Sequence, residues 1–304
     1  MKKFFYYISH PLNTIKKIRT RNLYSSRYKS LSDEDYLKRM FKIKMGYELN
    51  LQDPRTFNEK INWLKLYNRN PLYTTMVDKH AVKAYVSNII GESHVIKELG
   101  VYGSSSEINL SLLPDKFVLK TNHGCGSMVI CKNKDNVNWD FEFCKLDEAL
   151  SDNYYFHCRE WVYKDVKPCI LAEEYMKDSE YDVLPVYKIF CFDGSPFLIQ
   201  TIKNDKQINE SIDYFDINWK RLKLKQNFPN SKHPLSKPSN LQEMLDLARK
   251  LTKGIPFVRC DFYSIEGKVF FSEFTFYSDA GFERFHPKKW DFILGDLIKL
   301  QSYR

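Results

Sequence analysis

The stretch from Val258 to Thr275 constrains this chain more than any other. Val258-Arg-Cys-Asp-Phe-Tyr263 and Val269-Phe-Phe-Ser-Glu-Phe-Thr275 are rich in β-branched and aromatic residues, and Ser264-Ile-Glu-Gly-Lys268 lies between them. Two such runs around a glycine turn predict an antiparallel hairpin. Asp261 stands six residues before Gly267 and Glu273 six after it, so a turn centred there sets the two acids across from each other. Their separation is even, which puts them on one face, with Arg259 and Thr275 as the next pair along it. Val258, Cys260, Phe262, Phe270 and Phe274 are expected on the opposite face, as core. Directly opposed carboxylates repel. One relief is a shared divalent cation, for which hard oxygens suit Mg2+ or Mn2+. The other is a rim pair, with Arg259 bridging Asp261 and Glu273 in solvent. Beside a metal, Arg259 is placed to stabilise a phosphoryl group in transit.

A second segment has related chemistry. Phe117-Val-Leu-Lys-Thr121 and Met128-Val-Ile-Cys-Lys132 are strand-like, and Asn122-His-Gly-Cys-Gly-Ser127 joins them. Glycines let backbone N–H groups approach phosphate oxygens, and Lys120 adds charge. The loop is neither a P-loop nor a dinucleotide fingerprint, because the required spacing and following helix are missing. His123 and Cys125 have no second ligand pair at zinc spacing.

The rest of the chain mixes helices with hairpins, which predicts an α+β fold. Ser32 before Asp33-Glu34-Asp35 reads as a capped helix start rather than an acidic metal motif. Helices are expected over 56–67, 78–90, 145–165 and 238–252. Cys169–Tyr175 is strand-like, and Tyr187–Phe192, Asp193-Gly194 and Pro196–Gln200 form a hairpin with a D-G turn.

Composition excludes several classes. At 43% hydrophobic and 28% charged residues the chain is globular rather than disordered. No stretch reaches the ~18 uncharged apolar residues of a spanning helix. Seven cysteines without a C-x-x-C pair indicate reduced thiols rather than a disulfide scaffold. The net charge of +9 is local: residues 1–47 carry twelve Lys and Arg against three acids, and the remainder is neutral. Within residues 1–30, aromatic residues are interleaved with the basic ones and no acid occurs. That composition suits an anionic membrane surface, or a solvated basic arm with no partner. It lacks the apolar run and cleavage site of a signal peptide, and no nucleic-acid recognition motif accompanies it.

The order Asp78-Lys79, Lys120 with its glycine loop, Glu173-Glu-Tyr-Met176, Arg259-x-Asp261 and Glu273 resembles the ATP-grasp superfamily. The stretches G-Y-E-L-N-L (46–51), T-F-N-E-K-I-N-W-L-K (56–65), V-D-K-H-A-V-K-A-Y-V (77–86), F-V-L-K-T-N-H-G-C-G (117–126), Y-K-I-F-C-F-D-G (187–194) and S-E-F-T-F (272–276) are similar to the TupA-like ATP-grasp family of bacterial surface-polysaccharide gene clusters. The resemblance implies two antiparallel-sheet subdomains sandwiching ATP. It divides the chain into a basic helical arm at 1–47, a helical region at 48–115, a lid at 116–180 and a metal and substrate part at 181–304. It implies that Lys79, Lys120 and Lys188 contact phosphates and that Gly124, Gly126 and Ser127 cover the triphosphate. Glu173, Tyr175 and Met176 would meet adenine and Glu180 the ribose. Asp261 and Glu273 would hold Mg2+ or Mn2+. Thr275 stands where many superfamily members have Asn, and is a poorer oxygen donor. Arg259 and Lys120 would steady the transferred phosphoryl group. His123, Asp279 and Gly281 lie where an acceptor could approach.

The activity so implied is a carboxylate–amine ligase, forming an amide through an acyl phosphate and releasing ADP and phosphate. Its implied substrates are a hexuronic acid of a capsule, O-antigen or teichuronopeptide-type polymer, lipid-linked or free, and an amino acid or amine. The implied setting is the bacterial cytoplasm, with peripheral contact at the inner membrane through the basic arm. A glycan phosphotransferase and a non-catalytic glycosyltransferase accessory are the competing expectations.

Overall fold

The computed structural model describes residues 28–124, 126–204 and 210–300. Most of the expected basic arm, residues 1–27, lies outside them. The frame is two all-antiparallel sheets. The smaller has four strands in the order β1-β4-β2-β3, namely β1 (Glu98–Tyr102), β2 (Phe117–Thr121), β3 (Met128–Cys131) and β4 (Ile170–Glu174). The larger has five in the order β7-β6-β5-β8-β9, namely β5 (Val186–Phe192), β6 (Ser195–Lys203), β7 (Ser211–Asp216), β8 (Val258–Ile265) and β9 (Lys268–Thr275). The edge strands β1 and β7 add to those expected from the sequence. Because β1 pairs with β4, the small sheet draws on chain ahead of residue 116.

Helices α1 (Asp33–Met45), α2 (Phe57–Tyr67), α3 (Leu72–Val77) and α4 (Ala81–Ile90) precede the sheets' main strands. Ser32 caps α1 by accepting from Asp35 N at 3.1 Å. Thr56 and Glu59 close a capping box on α2. The helix expected over 145–165 begins earlier and breaks. It runs as α5 (Trp139–Ser151), capped by Asn138, and after a turn as the short α6 (Tyr155–Cys158). Arg159, at φ 55°, stops α6. Helices α7 (Leu241–Thr252) and α8 (Lys289–Leu297) complete the order. Gly295 lets α8 lie against the start of α2, since a Cβ there would meet Arg55 O at 2.3 Å.

Each sheet buries one face. Phe117, Leu119, Val129, Cys131, Ile170 and Ala172 form a small core with Leu146 of α5. Ile189, Cys260, Phe262, Phe271 and Phe274 belong to the main core, against Met244, Leu245 and Ala248 of α7. The other two faces carry the polar residues, and charges across the gap register each other: Lys120 of β2 lies in the field of Tyr263 and Glu273 of the large sheet.

The β8–β9 turn is the two-residue Glu266-Gly267, at φ 48° and 78°. Ile265 pairs with Lys268 and Tyr263 with Phe270, a register that would set Asp261 against Ser272. A bulge between Asp261 and Phe262 shifts the pairing to Asp261–Glu273 and Arg259–Thr275. Phe270, expected in the core, therefore pairs on the acid face and is only half-buried; Phe271 takes its place at 5% exposure.

Candidate functional site

The large sheet sets a polar row across its strands. Lys188, Asp261 and Glu273 are register neighbours on β5, β8 and β9. Gln200 and Tyr214 continue the row on β6 and β7. Asp261 is 1% exposed and is gripped by Arg259, with Nε donating to Oδ1 at 2.8 Å and Nη2 to Oδ2 at 2.9 Å. Lys188 Nζ stands 3.5 Å from Oδ2. Arg259 Nη2 also donates to Thr275 Oγ1 at 2.9 Å and lies 3.7 Å from Glu273 Oε1. Burial alone would lower the Arg259 pKa, but Asp261, with Glu273 and Asp279, outweighs it and the guanidinium is held charged. A bidentate pair uses one lone pair on each carboxylate oxygen and leaves others for a further ligand.

Glu273 is less enclosed, with 37% of its side chain exposed. Burial pushes its carboxyl up, yet Lys79, Lys188, Arg259 and Lys120 together hold it below the ordinary carboxylate range. Those four cations come from both sides of the gap, Lys188 and Arg259 from the large sheet and Lys79 and Lys120 from the other half.

The small sheet answers with one acid between two lysines. Glu173 is buried; Oε2 takes Lys120 Nζ at 2.5 Å and Oε1 takes Lys83 Nζ at 2.7 Å. Burial raises the Glu173 pKa, and the two lysines reverse that and lower it. Lys120, which burial would discharge, is raised by Glu173. Met128 and Ile130, on the Lys120 face of β3, are exposed apolar residues. Beyond β4, Tyr175 and Met176 are half-buried, and Lys132 Nζ lies 5.9 Å over the Tyr175 ring.

The glycine loop is bolted at its base. Lys79 donates from N to Asn122 O at 3.0 Å and from Nζ to Gly124 O at 2.7 Å. Ser127 Oγ pairs with Thr121 Oγ1. Gly124 and Gly126 have φ of 68° and 96°. His123 is buried at 5% exposure, its Nε2 2.9 Å from Asp152 O and its Nδ1 3.2 Å from Asn122 Oδ1. Its ring ties the loop to the end of α5.

Glu180 does not join these groups. It lines a separate cavity of about 290 Å³ with Asp178, Tyr187, Ser264 and Gly267, and Tyr187 faces away from Lys188 on β5. Asp279 and Gly281 lie in a turn after β9, where Asp279 Oδ2 takes Gln226 Nε2 at 3.4 Å and Gly281 O takes Asn62 Nδ2 at 2.9 Å. Three charged side chains at or beside the site escaped the sequence reading. Lys83 is one helical turn past Lys79, a spacing that could have revealed it. Buried Lys65 and Glu160 gave no local signal.

The TupA-like ATPgrasp family matches residues 59–299. No curated protein matches the chain. Among solved structures it is similar to D-alanine–D-alanine ligase from Bacillus anthracis, at 18% identity and TM-score 0.43, covering 73% of this chain and 66% of that one. It is also similar to L-amino acid ligase from Bacillus licheniformis, at 11% identity and TM-score 0.43, covering 82% and 55%. A RimK domain ATP-grasp protein from Sphaerobacter thermophilus matches at 10% identity and TM-score 0.40, over 76% and 70%. The chain thus spans just under two thirds of the length of the Bacillus anthracis ligase. The family match takes in Lys79, the Lys120 strand with its glycine loop, and the Asp261–Glu273 hairpin within one continuous segment, so the chain belongs to the TupA-like ATP-grasp family and has that α+β fold.

Proposed function

We propose that the chain is an ATP-dependent carboxylate–amine ligase. The observation that carries this is the Glu273 carboxylate, half-open in a gap where Lys79, Lys120, Lys188 and Arg259 converge from both halves. Lys79, Lys83, Lys120, Lys188 and Arg259 outnumber Glu173, Asp261 and Glu273 by five to three, and a triphosphate suits that surplus of positive charge. Met128 and Ile130 offer an apolar bed for the base, with Glu173, Tyr175 and Met176 at its edge.

Mg2+ fits the donor set. Among the described residues no group of three or more His, Cys, Asp or Glu side chains gathers to hold a metal ion. Mg2+ takes one or two carboxylates and fills its remaining positions with water and phosphate oxygens. Asp261 and Glu273 would hold it, with Thr275 Oγ1 as a weaker third donor. It would supply charge neutralisation on the phosphate oxygens.

In this function Lys120 and Lys79 hold the nucleotide's phosphates, and Lys188 secures Asp261. Arg259, fixed by its bidentate bond, lies where charge shifts as the carboxylate substrate takes the phosphoryl group. The acyl phosphate so formed is opened by an amine to give the amide. The carboxylate belongs to a hexuronic acid of a bacterial surface polysaccharide, and the amine to an amino acid or related molecule. Among the described residues no helix is long and apolar enough to cross a membrane; the basic residues 1–30 would draw the protein to an anionic membrane face. The test is purified protein with Mg-ATP, a uronate-containing glycan and amines. Amine-dependent release of ADP and phosphate, with an amide in the product mass, is expected. A stable phosphoester would make the protein a phosphotransferase, and Asp261→Asn without effect would make it a non-catalytic accessory.

A further inference from the structure

Beside the acid row lies a cluster that neither the nucleotide nor the metal uses. Glu160, in the segment after α6, is 6% exposed. Lys65 of α2 is 0% exposed and donates from Nζ to Cys158 O at 2.9 Å and to Ala280 O at 2.7 Å. It thereby ties the segment carrying Glu160 to the turn carrying Asp279. That turn has three successive left-handed residues, Asp279, Ala280 and Gly281, at φ 49°, 52° and 66°. Two of them are not glycine, and such backbone persists only where its surroundings enforce it. Asn62 of α2 supplies part of that enforcement, and a Cβ on Gly281 would meet its Nδ2 at 2.7 Å.

The cluster also continues the row on the large sheet. Gln200 Nε2 donates to Tyr214 OH at 2.9 Å, Tyr214 OH donates to Gln226 Oε1, and Gln226 Nε2 reaches Asp279 Oδ2 at 3.4 Å. Arg259 is the junction, lying in the fields of Asp261, Glu273 and Asp279 and acting on Glu160.

We infer that Glu160 and Asp279 form the seat for the ammonium of the amine substrate, and that Glu160 accepts its proton before attack. This rests on the amide-ligase function above. A nucleophile must reach the acyl carbon beside Arg259; of the carboxylates around that residue, Asp261 is bound bidentately and Glu273 is given to the metal, which leaves Glu160 and Asp279. The cation that acts most strongly on Glu160, Lys65, is committed to two carbonyl oxygens. Burial pushes the Glu160 carboxyl up to about 7, with Asp279 adding to the rise and Lys65 and Arg259 opposing it. A proton acceptor tuned near neutrality suits an amine that must lose its charge to react. The ammonium gives one proton to Glu160. Its nitrogen then forms the C–N bond as the acyl C–O bond to phosphate breaks. Phosphate leaves with the electron pair and carries away the second proton lost from nitrogen.

The experiment compares wild type, Glu160→Gln and Asp279→Asn with two nucleophiles, the amine and hydroxylamine, which is largely unprotonated at neutral pH and needs no proton acceptor. The expected result for Glu160→Gln is a fall in amine kcat/KM of at least about 10²-fold, with hydroxamate formation and the Mg-ATP thermal shift retained. The rise of the wild-type amine rate through pH 7 should vanish in the variant. Asp279→Asn should raise the amine KM and leave hydroxamate formation in place. Equal loss with both nucleophiles would mean that Glu160 holds the fold, and unchanged amine kinetics would mean that it plays no part; either overturns the inference alone. A wild-type protein that never couples ADP release to a carboxylate overturns the ligase function and this inference with it.

Discussion

The two sheets treat their buried acids differently. On the small sheet Glu173 is one carboxylate between two lysines, both oxygens taken and the local balance positive. On the large sheet two carboxylates meet two cations, and only Asp261 is fully gripped, while Glu273 stays half-open. The first arrangement is closed and holds two ammonium groups in place. The second keeps an acid free for a further cation. Neighbouring charges are thus arranged for support in one half and for binding in the other, and each half can be broken separately.

The largest effect is expected on the large sheet. Glu273→Gln or Asp261→Asn should lower ADP-forming turnover by at least about 10³-fold, and Mg2+ should no longer add to the thermal stabilisation by ATP. Asp261→Asn also leaves Arg259 without its bidentate acceptor, so it should destabilise the fold as well. Glu273→Gln should not, and that contrast is read from melting curves without nucleotide. Undiminished turnover in Glu273→Gln would break the assignment of this acid to a metal.

On the small sheet the order reverses. Glu173→Gln leaves Lys83 and Lys120 side by side without an acid, and removing one partner of a buried ion pair costs on the order of 3 kcal/mol. Denaturant unfolding should register this loss with or without Mg2+, and the KM for ATP should rise. The lowered Glu173 pKa gives the pair a pH signature. Its stabilisation is complete above the ordinary carboxylate pKa and is lost as pH falls through the depressed one. Glu160 has the opposite sign. A carboxyl raised from 4.5 to about 7 binds its proton more tightly when folded, so its contribution is greatest below pH 4.5 and declines as pH rises toward 7. Glu160→Gln should flatten that decline, worth roughly 2–3 kcal/mol between pH 5 and 8, in unfolding curves taken across that range.

Legibility in the sequence followed how local each feature is. The Asp193-Gly194 hairpin, the cap of α1 and the start of α2 after Thr56 depend on a few adjacent residues, and they stand where the pattern put them. The Asp261–Glu273 pairing came out as expected through geometry the pattern did not contain. The turn residues set a register one short, and a bulge restores it, moving Phe270 to the acid face and Phe271 into the core. Hydrophobic alternation cannot show a bulge, because Phe270, Phe271 and Phe274 fit either count. Glu160 was invisible for a different reason. Its neighbours Lys65, Arg259 and Asp279 come from three distant segments, and only the packing of α2 against the turn at 279–281 brings them together. Glu180 shows a different case: the resemblance assigns it to the ribose, while the fold sets it in a cavity with Tyr187, apart from the Lys188–Asp261–Glu273 row.

The smallest effects separate the two glycines of the loop. Both have positive φ, so alanine at either is strained by about 1 kcal/mol. Their surroundings differ. A Cβ on Gly124 would meet Tyr154 Cδ2 at 2.9 Å, whereas nothing lies within 4 Å of one on Gly126. Gly124→Ala must displace the Tyr154 ring and disturb the carbonyl that receives Lys79 Nζ, so both melting temperature and ATP affinity should fall. Gly126→Ala strains only the loop itself. Its melting temperature should stay within a few degrees of wild type, while kcat falls if the loop closes over the phosphates. A Gly126→Ala enzyme with unchanged kcat and KM would remove the loop from the catalytic cycle and leave Lys79 and Lys120 as the small half's whole contribution to phosphate binding.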